Sequence, residues 1–169
     1  SEESGLNIKD ELGRTAFICA CYNGHKEIVQ LLLDHSDRID VDARSSHGWT
    51  AFMTSCKNGH KDVVKLLLDS SDRIEINARN NHGMTAFMQA CYFGHKDVVR
   101  VLLDNSERID LNTTDNDGDT AFMIACERGH KDVVQLLLDH SERIDFNTRD
   151  IDGDTAFMIA CERGHKDVV

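Results

Sequence analysis

The stretch from Gly13 to Asp34, GRTAFICACYNGHKEIVQLLLD, decides the fold, because the chain repeats it. It returns with few changes from Gly48 (GWTAFMTSCKNGHKDVVKLLLD), from Gly83 (GMTAFMQACYFGHKDVVRVLLD) and from Gly118 (GDTAFMIACERGHKDVVQLLLD). Its opening returns once more from Gly153 (GDTAFMIACERGHKDVV), so that successive copies start 35 residues apart. A fixed period of this length marks a solenoid of stacked units, none of which can bury its apolar face alone. The 169 residues therefore read as one continuous array over 1–169. Its units fall at about 10–44, 45–79, 80–114 and 115–149, followed by a partial unit at 150–169, with 1–9 as the tail of a preceding unit. The chain starts and stops inside the pattern, and a segment of a longer array is expected.

Within one unit, Thr15 stands before the run Ala16 to Tyr22 and Gly24 stands after it. That is an N-capped helix of about two turns closed by a glycine. Ala16, Phe17, Ala20 and Cys21 form its apolar stripe, with side chains small enough for close approach. A second helix is expected from Lys26 to about Asp34, with Ile28, Val29 and Leu31 to Leu33 as its apolar residues. The segment from Ser36 to His47 then leads through an extended turn into the next unit. The fold class is all-α: ten short helices, the last incomplete, in antiparallel pairs joined by hairpin-like fingers.

These motifs resemble the ankyrin repeat over essentially the whole chain. The resemblance implies a solenoid whose concave groove, made by the first helices and the fingers, holds a partner protein. Three features depart from the family pattern. Alanine replaces proline at the first helical position, which leaves the helix start less rigid. A methionine column, Met53, Met88, Met123 and Met158, replaces a histidine and offers deformable packing. Two extra residues per unit precede the finger, so helix two is expected to run on. That would pair Asp34 with Arg38, Asp69 with Arg73, Asp104 with Arg108 and Asp139 with Arg143 at i,i+4. The resemblance also places Asn77, Asn112 and Asn147 at the finger position that asparaginyl hydroxylases modify in other ankyrin arrays.

Composition narrows the function classes. The net charge of −11 is a poor footprint for nucleic acid, which asks for a clustered basic face; a basic peptide or protein segment is the expected electrostatic partner. No run approaches the ~20 apolar residues of a membrane span, and no leader pattern opens the chain. Cys21, Cys56, Cys91, Cys126 and Cys161 recur in register. Stacked helices hold such a column too far apart for disulfides. Reduced thiols in this number argue for an intracellular, cytoplasmic location. A monomer, or weak end-to-end self-association, is expected.

Catalytic and metal chemistry find little support. The run Asp115, Asp117, Asp119, repeated at Asp150, Asp152, Asp154, opens like a calcium loop. It has neither the glycine nor the bidentate glutamate that such a loop needs, and reads as turn-tip acids. His25, His60, His95, His130 and His165 lie one unit apart, too far for one zinc, and read as neutral, hydrogen-bonded interface residues. Cys21 and His25 lack an orienting group or oxyanion donor. No enzyme activity, cofactor or metal is expected.

The copies differ chiefly around the first glycine, two residues after the phenylalanine and at the two residues before the second glycine. Trp49, Tyr22, Tyr92 and Phe93 all lie at these positions. Exposed aromatics on a rigid face are common anchors of protein interfaces. The candidate partner-binding set is therefore Arg14, Tyr22, Asn23, His47, Trp49, Thr54, Lys57, Asn58, His82, Met84, Gln89, Tyr92 and Phe93. Residues 117–134 are identical to 152–169, and that half reads as undiversified, acidic and solvated. Two functions remain: a recognition module whose groove in units one to three holds a peptide or loop, and a structural spacer or elastic arm within a larger multidomain protein.

Overall fold

The computed structural model describes residues 5–70 and 73–169. Among these, a 3₁₀ turn at Gly5–Asn7 precedes the α-helices α1 (Ala16–Tyr22), α2 (Lys26–Leu33), α3 (Ala51–Lys57), α4 (Lys61–Asp69), α5 (Ala86–Tyr92), α6 (Lys96–Asp104), α7 (Ala121–Glu127), α8 (Lys131–Leu138) and α9 (Ala156–Glu162). Residues 166–168 form a turn rather than the start of a tenth helix. The odd-numbered helices stack on one another as an inner row, α2, α4, α6 and α8 stack as an outer row, and each unit's two helices pack together.

Local sequence sets each helix end. The hydroxyls of Thr15, Thr50, Thr85 and Thr120 accept from the backbone N–H three residues on, at 3.3–3.4 Å. At two of these caps the methionine column returns the bond: the sulfurs of Met88 and Met123 accept from the N–H of Thr85 and Thr120, both at 3.4 Å. This is a capping box with a thioether in the usual Glu or Gln place. The same methionines are 1% exposed, so the column packs and caps at once.

The glycine after each of the first four inner helices, Gly24, Gly59, Gly94 and Gly129, has a second role besides ending it. Gly94 has φ +70°, and a Cβ there would lie 2.7 Å from Nδ1 of His130. The imidazole of the following unit lies against that bare backbone and donates from Nε2 to the carbonyl of Tyr92 at 2.9 Å. His60 on Tyr22, His95 on Lys57 and His165 on Glu127 repeat the joint at 2.7–2.8 Å. The histidine column is thus a set of hydrogen-bonded joints between units, as its register suggests.

The fingers interlock as well. One backbone bond crosses each successive fingertip, from the N–H of Ser46, Asn81, Asn116 and Ile151 to the carbonyl of Leu12, His47, His82 and Asp117. Asn77 donates to the carbonyl of Arg108 and accepts from the N–H of Asp110, and Asn112 does the same with Arg143 and Asp145, at 2.9–3.0 Å. The core of Phe, Met, Val, Leu and buried Cys is continuous from unit to unit. Phe146, at the finger position held by Val41, Ile76 and Leu111 in the other units, meets Phe122 edge-on at 4.5 Å.

One expectation fails. The outer helices stop at Leu33, Asp69, Asp104 and Leu138, and none of the four i,i+4 Asp–Arg pairs forms among the described residues. Three of those arginines reach back one unit instead: Arg73 donates to the Ser36 hydroxyl, Arg108 to the Leu68 carbonyl and Arg143 to the Ser106 hydroxyl and carbonyl. The chain has left the helix by these positions, and each guanidinium runs along the stack to hydroxyl or carbonyl oxygens of the preceding unit.

Candidate functional site

The variable positions gather where the inner helices end and the fingers begin. A cleft of about 230 Å³ opens between units one and two, lined by Leu12, Arg14, Ile18, Tyr22, Ser45, His47, Trp49, Thr54 and Lys57. Six of the expected partner-binding residues meet there. Leu12, Ile18 and Ser45 complete it, and sequence comparison missed them. Tyr22 is 42% exposed and Leu12 51%, whereas Ile18 and Thr54 are buried and form the inner wall.

Cations lie across the aromatic faces. The Lys57 ammonium is 4.6 Å from the Trp49 ring centre and 5.5 Å from that of Phe93, so one side chain of unit two bridges aromatics of units two and three. Tyr92 and Phe93 pack at 4.9 Å, and the Arg128 guanidinium of unit four covers Tyr92 at 3.8 Å. A ladder of alternating rings and cations therefore runs along the groove through units two to four. Each such contact contributes about 0.5–1 kcal/mol at an exposed site, so the ladder orders side chains more than it adds stability.

Not every candidate faces solvent. Gln89 is 3% exposed, with its amide against the Met84 sulfur at 3.0 Å, and Thr54 is 5% exposed, with its hydroxyl on the Ala51 carbonyl. Gln89 supports the wall and does not display an amide. Asn58 donates to the Tyr22 carbonyl at 3.0 Å and Asn23 to that of Cys19 at 2.8 Å. His47 and His82 are exposed at the fingertips, and Met84 is half-buried against the core. Arg14 is held by Asp10 at 2.7 Å, and that bond keeps the Asp10 carboxyl below its ordinary range.

A second cleft, of about 260 Å³, lies between units four and five and is lined by Asp117, Asp119, Glu127, Asp150, Asp152, Asp154 and Glu162, with Ile151, Ile159 and Arg163. Asp117, Asp152 and Glu162 are exposed there, whereas Asp119 is drawn out of solvent. Oδ1 of Asp119 is buried without a hydrogen-bond partner, and burial, reinforced by Asp115 and Asp150, pushes its carboxyl up to about 7. The Asp115 and Asp150 carboxylates are used as turn-tip acceptors, each taking two backbone N–H groups of its own finger.

A family model described as Ankyrin repeats (3 copies) matches residues 2–80, 38–115, 73–150 and 106–169. The chain belongs to the ankyrin-repeat family. Comparison with curated proteins finds no match. Ankyrin repeats are in general protein–protein interaction modules and typically non-enzymatic scaffolds. No helix among the described residues is long and apolar enough to cross a membrane. All six cysteines are free thiols; four of the column are buried, with Cys161 exposed and Cys19 between.

Proposed function

We propose that this ankyrin array is a protein-recognition module whose groove, over units one to three, receives a peptide or loop of another intracellular protein. The observation that carries the reading is the coincidence of two independent features. The copies diverge most at the inner-helix ends, and there an apolar cleft walled by Tyr22 and Trp49 stands open between two units. Scaffold positions elsewhere in the same units scarcely change.

The test is capture from a lysate of the source cells by the native chain and by a chain carrying Trp49→Ala, Tyr92→Ala and Phe93→Ala. Specific partners retained by the first and lost by the second, with helicity unchanged, support recognition. Equal capture by both would favour the structural reading, a spacer or elastic arm. The identity of 117–134 with 152–169 is what speaks for that second reading.

A further inference from the structure

We infer that the groove occupant is an acidic-apolar segment: an apolar side chain enters the cleft between units one and two, and a neighbouring carboxylate meets the Lys57 ammonium. This rests on the recognition reading above and names the chemistry of its partner.

Cations along the groove are used unequally. Arg14 is committed to Asp10, and Arg163 and Arg128 approach Glu127 at 2.7 and 3.9 Å. Lys57 meets no carboxylate among the described ion pairs; its ammonium is held between the faces of Trp49 and Phe93. Ring faces attract a cation without accepting its N–H groups as a carboxylate would, so its capacity for a charge-assisted bond is still open. The stem is already ordered by two rings, so a bound carboxylate finds a positioned donor and little rotamer freedom remains to be lost. The cleft beside it has room for one side chain of leucine or phenylalanine size.

The chain's net charge of −11 argues for a basic partner, but distance decides locally. The acidic cleft begins two units beyond Lys57, roughly 20 Å at the usual helix spacing. Screening at physiological salt acts over about 8 Å, so that field is largely spent at the cleft between units one and two. Of the charged groups that line the cleft, Arg14 is already neutralised by Asp10, which leaves the Lys57 ammonium as the uncompensated charge, and it favours an anion. The acidic half then keeps the carboxylate end of the segment off units four and five, which fixes its register.

A library of random 12-residue peptides displayed and selected on the full 169-residue chain tests this. Enriched peptides should carry Asp or Glu within two positions of Leu, Ile, Met or Phe. For the best of them, replacing that carboxylate by its amide should weaken binding on the order of five-fold, the upper range for an ion pair open to solvent. The loss should vanish on Lys57→Met and persist on Lys57→Arg, which keeps the charge and the ring contact; circular dichroism establishes that both variants fold. Trp49-dependent peptides without acidic enrichment, or an amide effect equal on native chain and Lys57→Met, would overturn the acidic occupant and leave the groove reading standing. No enrichment that depends on Trp49 would overturn both.

Discussion

At the scale of single residues, two carboxylates stand where an uncharged amide would serve the fold better: burial pushes both Asp119 and Asp42 up from their ordinary value. Asp119 has a folded-state value of about 7 against an ordinary 3.8, chiefly through burial. Folding therefore retains a proton that the unfolded chain releases at lower pH. The stability this group contributes is present below about pH 4 and lost as pH rises toward 7. Urea unfolding should show Asp119→Asn gaining on the native chain steadily across that interval; a constant difference would contradict it. Asp42 occupies the finger position held elsewhere by Asn7, Asn77 and Asn112. It accepts from the Glu75 N–H at 2.9 Å but as a carboxylate has nothing to donate, whereas the asparagines donate to the carbonyl 31 residues on. Asp42→Asn should supply that bond to the Arg73 carbonyl, worth about 1 kcal/mol and about 2–4 °C in melting temperature for a chain of this size. An unchanged or lower melting temperature would refute the missing-donor account.

At the scale of helices and joints, legibility divides along the boundary of one unit. Caps, helix lengths and the glycine stops follow from Thr15, Ala16 to Tyr22 and Gly24, because their causes lie within a few residues in sequence. The candidate cleft was half legible: Trp49, Tyr22 and Lys57 stand out because copies differ there. Leu12 and Ile18 did not, because their role depends on how the next finger leans across them. Gln89 misled for a related reason: variation at a helix position says nothing about which way the side chain turns, and the amide turned inward to Met84. The Asp–Arg ladder failed because i,i+4 spacing holds only while the helix continues, and it ends too soon. The glycine–histidine joint can be tested directly. Gly94→Ala forces a side chain into φ +70° and places its Cβ 2.7 Å from the His130 ring, which must then leave the Tyr92 carbonyl. The positive φ alone costs about 1–2 kcal/mol, and the lost hydrogen bond about 1 kcal/mol more. Calorimetry should show a larger loss for Gly94→Ala than for Gly164→Ala, where a Cβ would meet nothing within 4 Å.

Across the whole molecule the cysteine column gives each unit its own reporter. In a stack, a unit's stability is set by its own contacts and those with immediate neighbours, so opening should be graded along the array and not uniform. Cys56 and Cys91 are 0% exposed and lie between complete units, and burial pushes their thiols far above the ordinary range. Cys21 and Cys126 are also 0% exposed, with thiols pushed up to about 12, but Cys126 is covered on one side by the partial unit at 150–169. That unit leaves Phe157 37% and Met158 47% exposed, where the matching Phe122 and Met123 are at 1%. It therefore has fewer buried contacts to break on opening. Alkylation followed by peptide mass spectrometry should find Cys161 modified first, Cys19 next, Cys126 ahead of the other buried thiols, and Cys56 and Cys91 last. Mild urea should bring Cys126 forward while leaving Cys56 and Cys91 protected. If all four buried thiols instead react at one common rate, the array opens in a single cooperative step, and nearest-neighbour coupling is strong enough to carry the loosely covered end with the centre.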